Sequence, residues 1–202
     1  MSTEKKYYNG NINWFTTKEL QDEFVLKSES RISKIAVMES STKLFPVGTV
    51  VIAIYAAPTV GRIGILTEES AFNQACCGII PNTFYINKEY LFLTLLLYRK
   101  KLNVLASGTT QKNLGVGTIK NQLFVVPPPR LMQAFYKIVS PCFSKKEKLI
   151  LENQKLSELR DWLLPMLMNG QVRVAHSDVK RNLGEAEEQL GMVAEEGGRY
   201  GN

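Results

Sequence analysis

The sequence predicts an α/β chain of the mixed α+β type, in which a globular domain is followed by a long coiled-coil-like α-helix. Two patterns predict it. Thr49-Val50-Val51-Ile52-Ala53-Ile54-Tyr55 is β-branched and almost wholly apolar, the composition of a strand buried on both faces. Between Leu131 and Met166, the positions Phe135, Ile138, Cys142, Lys145, Leu149, Glu152, Leu156, Leu159, Leu163 and Met166 are separated alternately by steps of three and four. That is the spacing of a coiled-coil seam. Composition bounds both patterns, because 202 residues of which 45% are hydrophobic suffice for one domain with an extension.

Taken in order, residues 7–17 mix aromatic with amide and hydroxyl side chains, and Asn9-Gly10 is a turn signal between two aromatic stretches. Such aromatics can stack on bases, although Trp14 and Phe15 are of the kind more often found in a core. Thr17-Lys18-Glu19-Leu20 is read as the start of a short helix, and residues 29–39 as holding another. Phe45-Pro46-Val47-Gly48 is a turn before the strand at 49–55. Arg62–Leu66 and Cys76–Pro81 read as further strands, and a helix is expected from Lys88 to Leu105, ending in Arg99-Lys100-Lys101. Cations there suit the negative end of a helix dipole. Gln122–Val126 reads as a last strand before Pro127-Pro128-Pro129.

Three regions follow: a domain over 1–128, a helical region over 129–170, and 171–202, a short strand or extended segment running into a disordered acidic tail. Within the helix, Pro141 lacks an N–H and clashes with the preceding turn, so a kink or division is expected there. The charged Lys145 and Glu152 weaken the seam but can fix register or partner. Two readings stay open: an amphipathic helix packed on its own domain, or one that projects and pairs with another chain.

Net charge is +6, unevenly spread. After Val174 three cations face six acids, so the tail carries −3 and residues 1–174 carry +9. A globular part this basic suits a polyanion, and a lysine surplus also serves solubility. Three cysteines, two of them adjacent, form no disulfide framework, and the lone His176 with no useful cysteine spacing offers no metal site. No apolar run approaches a bilayer span, and the polar start lacks the apolar core of a signal peptide. A cytoplasmic protein without metal or cofactor is expected.

The loop Ala106-Ser107-Gly108-Thr109-Thr110-Gln111-Lys112-Asn113-Leu114 is dense in small and hydrogen-bonding residues after a basic helix end. Gly108 permits close backbone approach, and its neighbours could reach phosphate oxygens or base edges. As an isolated pattern it equally describes a polar surface loop. Catalytic motifs are missing. No Gly-Lys-Ser or Gly-Lys-Thr phosphate loop occurs, and Gly115-Val116-Gly117 lacks the setting of a nucleotide-binding turn. No Asn-Pro-Pro-aromatic motif, triad or carboxylate pair is marked out.

Together these pieces resemble one half of the specificity subunit of type I restriction–modification systems. Asn11-Ile12-Asn13-Trp14-Phe15-Thr16-Thr17 is similar to the family's Ile-x-Trp-x-Thr element. Pro46–Ala53 is similar to its Gly-x-Val-Leu-Ile strand, and Gly61–Ile65 and Phe72–Ala75 follow in order. Ser107–Leu114 is the most specific match, and Val126–Pro129 and Leu163–Gly170 frame the helix as expected. The resemblance covers about residues 8–174. The family's usual lead-in, with Leu-Gly and Gly-Gly-Thr-Pro pieces, is absent, and only one recognition domain and one long helix are present.

The resemblance implies a target recognition domain followed by a spacer helix. It implies a non-catalytic subunit that reads double-stranded DNA and directs modification (methyltransferase) and restriction subunits to it. The residues expected at DNA are Ser107, Gly108, Thr109, Thr110, Gln111, Lys112 and Asn113, with Arg62 and Tyr55. A half-subunit leaves Leu149, Leu156, Leu159, Leu163 and Met166 for a second helix, so a homodimer with antiparallel helices is expected, with Lys145 near the partner's Glu152. The other class of function is a protein–protein adaptor, a remnant half-subunit without effective DNA reading. Salt-dependent duplex binding separates the two.

Overall fold

A computed structural model describes residues 5–55, 58–106 and 113–172. After a short 3-10 turn (Lys5–Tyr7) come β1 (Tyr8–Phe15), β2 (Glu23–Val25), β3 (Ser30–Ile32) and α1 (Lys34–Glu39). Then follow β4 (Val50–Ala53), β5 (Ile63–Leu66), β6 (Ala71–Phe72) and β7 (Cys76–Ile79). Three helices complete the chain: α2 (Lys88–Leu105), α3 (Val116–Lys120) and α4 (Pro129–Met168). The mixed α+β class and the long C-terminal helix are as the sequence predicts.

The strands form two sheets, ordered β3-β1-β6 and β2-β5-β4-β7. β4 lies between β5 and β7, antiparallel to both, while β2 runs parallel to β5. Its side chains alternate between two apolar clusters, as period-2 geometry dictates. Val50, Ile52 and Ile54 join Leu91, Phe92, Leu95 and Leu102 of α2. Val51 and Ala53 point the other way, to Phe15 at the end of β1, Leu20 and Cys76. The strand is therefore covered on both faces, which is why its sequence is continuously apolar. At Phe45–Gly48 the expected turn forms, with Gly48 at φ +82° and its N–H bonded to the Leu66 carbonyl at 2.9 Å.

Some local signals resolve differently. Asn9-Gly10 makes no turn between strands. It lies inside β1 as a bulge, where the register on β3 shifts between Tyr8 and Ile12 and Asn9 takes φ +61°. A Cβ on Gly10 would run into the Ile32 backbone, so only glycine fits. Thr17–Leu20 is a turn, not a helix. Glu19 reaches back to the Thr16 N–H (2.7 Å) and forward to the Glu29 N–H (3.0 Å), and Leu20 is fully buried. Residues 29–39 hold β3 as well as the expected helix, whose N-cap Ser33 accepts from the Ala36 N–H. Gln122–Val126 is not a strand. Phe124 packs edge-on against Tyr98 while Leu123 and Val125 face solvent, so the alternation is real without a strand to pair with. The short α3 had no counterpart in the sequence reading.

The chain divides into two compact units, 1–151 and 152–202. In the first, α2 begins at N-cap Asn87, whose side chain accepts from the Tyr90 N–H. The opening turns of α4 pack on this unit. Phe143 meets the rings of Phe24 and Phe92 edge-on, Phe135 meets Tyr90, and Lys146 pairs with Glu23 at 3.2 Å. Phe135 is a seam position, but Phe143 and Lys146 lie off the expected seam, whose Ile138, Cys142, Lys145 and Leu149 are exposed. Pro141 does not divide α4, which runs unbroken through it with the proline on an exposed face. In the second unit the helix ends at Met168, and Gly170 (φ +67°) turns the chain so that the Gln171 N–H caps the Met166 carbonyl at 2.9 Å. The expected acidic tail beyond Val172 lies outside the described residues.

Ile52 is fully buried at the middle of β4. Ile52→Ala should therefore lower unfolding free energy by about 2–5 kcal/mol in urea denaturation. A loss below about 0.5 kcal/mol would contradict a central strand.

Candidate nucleic-acid interface

One edge of the first unit gathers several of the residues expected at DNA. β4 and β5 are joined through residues 54–62, of which Ala56 and Ala57 lie outside the described residues. The Ala53 N–H donates to the Arg62 carbonyl (2.8 Å), the Gly61 N–H to the Ala53 carbonyl (2.9 Å), and the Arg62 N–H to the Thr59 carbonyl (2.9 Å). Gly61 sits at φ +82°, in the left-handed region that favours glycine, and a Cβ there would press on Asn103 at 2.7 Å. This turn presents Arg62, half-buried, beside Tyr55, which is 40% exposed just beyond β4.

The last turns of α2 lie against the same place. Arg99 donates from Nε to the Gly61 carbonyl at 2.8 Å, and its two terminal nitrogens grip both carboxylate oxygens of Asp22. Asp22, at φ +64°, also exchanges backbone and side-chain hydrogen bonds with Ile63 (2.8 and 3.1 Å). One guanidinium thus ties α2, the entry to β2 and the β4–β5 turn together. Next to it on α2, Lys100 and Lys101 are exposed, Lys101 lying 5.4 Å over the Tyr98 ring.

Ser107, Gly108, Thr109, Thr110, Gln111 and Lys112 lie outside the described residues. Both ends of their segment are fixed. Ala106 caps α2 through its N–H to the Leu102 carbonyl at 3.0 Å. On the return, Asn113 is exposed, while Leu114 is fully buried and its N–H donates to the Ile54 carbonyl at 2.8 Å. The segment therefore leaves from the end of α2 and re-enters beside Tyr55. Of the residues expected at the helix interface, Leu149 (48%), Leu156 (63%) and Leu159 (49%) are exposed, and Leu163 and Met166 are half-exposed.

Sequence reasoning missed two polar centres. The Asp22–Arg99 pair was invisible because Arg99 read as a helix-end cation. Asn13 was seen only as part of a motif. It is 1% exposed and donates from Nδ2 to the Leu26 carbonyl (3.1 Å) and to Glu68, while its Oδ1 accepts from Ser28. An amide on the inward face of β1 was the available signal. Asn13 knits β1 to the 26–30 connection, so this part of the motif shapes the domain rather than touching a ligand.

Cys76 and Cys77 are poor nucleophiles. Burial, then Glu19 and Cys77, push the Cys76 thiol up to about 12, and burial raises Cys77 as well. Among the described residues no group of three or more His, Cys, Asp and Glu side chains is placed to hold a metal ion. No described helix is long and apolar enough to cross a membrane.

Two small sheets, a covering helix and a long C-terminal helix make a mixed α+β fold with polar and basic groups at one edge. The chain belongs to the family of the type I restriction modification DNA specificity domain, whose model matches residues 1–160. It is 28% identical over 174 residues to the type I restriction enzyme HindI specificity subunit of Haemophilus influenzae, covering 84% of this chain and 37% of that protein. To the MjaIX specificity subunit of Methanocaldococcus jannaschii it is 27% identical over 175 residues, covering 83% and 39%. The chain thus spans about two-fifths of the length of these relatives. Its fold is similar to the crystal structure of the type I S subunit from M. genitalium, with TM-score 0.57 and 15% identity over 83% of this chain and 41% of that one. For the HsdS subunit from Thermoanaerobacter tengcongensis the TM-score is 0.53 at 14% identity, over 85% and 42%.

Asp22→Asn keeps the shape and tolerates the left-handed backbone but removes the charge that Arg99 grips. It should cost about 1–3 kcal/mol in thermal or urea unfolding. Arg99→Gln in the same background should add little, because the two act as one unit. Fully additive losses would show that the pair is not coupled.

Proposed function

We propose that this chain is a DNA-reading half of a type I specificity subunit. It recognises one part of a split target in double-stranded DNA and brings modification (methyltransferase) and restriction subunits to it, with no chemistry of its own. The match of residues 1–160 to the DNA specificity domain carries the proposal. In this reading residues 1–128 recognise the target, 129–170 space and dimerise, and 171–202 are a tail. The edge formed by Tyr55, Arg62 and the segment from Ser107 to Asn113 meets the DNA. Lys112 and Arg62 neutralise phosphates, Gln111 and Asn113 reach base edges, and Gly108 lets the backbone close in. The surplus of +9 over residues 1–174 supports steering to a polyanion.

The exposed apolar side chains of α4 favour a partner for the helix. Leu149, Leu156 and Leu159, with the half-exposed Leu163 and Met166, would be covered by the same helix of a second copy, antiparallel to it. A two-fold axis then relates the recognition domains and makes the target a split palindrome. The same exposed face supports the second reading, a protein–protein adaptor without effective DNA reading.

Duplex binding measured across salt separates the two. The DNA reading predicts affinity falling steeply, with a log–log slope of about −0.9 for each phosphate neutralised. Lys112→Ala should reduce that slope by about 1 and weaken all sequences alike, whereas Gln111→Ala should change base preference. Unchanged affinity and preference in both variants would remove this segment from the interface. For the helix, sedimentation at micromolar concentration should give a dimer that Leu156→Asp converts to a soluble monomer. A wild-type monomer whose Leu156→Asp variant is equally stable would contradict the pairing.

A further inference from the structure

A cleft of about 520 Å³, lined in part by Asn73 and Gln74, is not used by the reading above. Its volume falls in the range of small-molecule sites. Its walls are aromatic. Tyr8 and Trp14 come from β1, and Phe45 and Phe72 stack with centroids 4.3 Å apart. At one end the Tyr7 hydroxyl donates to Glu39 Oε2 at 2.7 Å, and Lys6 pairs with the same oxygen at 3.1 Å. The Tyr7 hydrogen bond, then Lys6, holds the Glu39 carboxyl below its ordinary range, so it stays ionised. The Glu39 side chain is 49% exposed, so a further donor can reach its carboxylate. Ser41, Thr42 and Lys43 add two hydroxyls and a cation to the lining, with Ser41 and Lys43 exposed.

Planar apolar walls, a carboxylate acceptor and a lysine in the lining match one chemistry. A nucleobase has π faces for the rings, an exocyclic amino group for a carboxylate, and a trailing phosphate for a lysine. The source is also indicated. The Ala75 carbonyl, in the turn that walls the cleft, accepts from the Ile54 and Tyr55 N–H groups (2.8 and 3.4 Å). Cleft and candidate interface therefore share one turn.

We propose that this cleft takes a single unstacked nucleobase bearing an exocyclic amino group, delivered by DNA bound along the adjoining edge. The delivery rests on the DNA-reading proposal, whereas the recognition of the base does not. Glu39 accepts from the amino group, and the walls around Trp14 and Phe72 stack on the ring. Adenine, cytosine and guanine satisfy this; thymine and uracil do not.

Trp14 and Trp162 are the only tryptophans. In a Trp162→Phe background, where the replaced ring is exposed, Trp14 emission reports the cleft alone. The full chain is titrated with a fluorescein-labelled duplex of mixed sequence, with the same duplex carrying unpaired cytosines, and with CMP and UMP. Label anisotropy reports DNA binding independently. Saturable quenching of Trp14 is expected with the cytosine-bearing duplex and with CMP, and about tenfold weaker binding of UMP. Glu39→Gln should bring CMP and UMP to within about twofold of each other, roughly the scatter of a lost single hydrogen bond. Quenching by CMP alone assigns the source to a free nucleotide and keeps the base site. DNA binding by anisotropy with no quenching by any probe overturns the cleft proposal and leaves the DNA reading standing. Absence of both signals overturns the two together.

Discussion

The guanidinium of Arg99 is the constraint on which the candidate interface depends. It bonds both carboxylate oxygens of Asp22 and the carbonyl of Gly61. Three parts of the chain distant in sequence thereby acquire fixed relative positions: the entry to β2, the β4–β5 turn and the end of α2. The pair is only partly screened from water, with side chains 26% and 31% exposed, so its bidentate geometry and shared partners matter more than its charge alone. Because α2 is held there, the segment after Ala106 has to start beside Arg62. Because Leu114 is buried and bonded to Ile54, it has to finish beside Tyr55. Both flanks of the segment that lies outside the described residues are thus anchored on rigid elements.

Beneath this lies the two-faced burial of β4. Its even positions pack on α2 and its odd positions on Phe15, Leu20 and Cys76. The Asn13 network fastens β1 to the connection between β2 and β3 with a fully buried amide. Leaving one partner of such a network unpaired is costly, so the Ile-x-Trp-x-Thr-like element is explained by architecture before ligand contact.

Much of this was legible from residue order. β4, β5, β7 and α2 were found because short apolar runs between turn residues and an apolar-rich helical stretch are local signals, and here local preference agreed with tertiary packing. The family resemblance, built on the same motifs, is borne out by the match of residues 1–160. What escaped depends on contacts between distant residues. Asp22 and Arg99 are 77 positions apart and Asn13 and Glu68 are 55 apart, and no periodicity links them. Asn9-Gly10 carries a turn signature, yet the Ile32 backbone packed against Gly10 makes it a bulge. Gln122–Val126 has the apolar residues of a strand without an edge to join. The three- and four-residue steps of α4 are in the sequence, but Phe143 packs from a face offset from the seam because aromatic partners wait on α2 and β2.

That offset explains how one helix can serve two surfaces. The stripe through Phe143 fastens α4 to its domain, while Leu149, Leu156 and Leu159 are left exposed. The proposed function uses both: Phe143 holds the start of α4 to its domain, and the exposed apolar side chains are left for assembly. Methylome sequencing of cells carrying this chain together with its modification subunit tests that account most directly. The account predicts a new methylated motif, split and palindromic, that disappears when this chain is omitted. A stable complex of chain and modification subunit that leaves the methylome unchanged would contradict it.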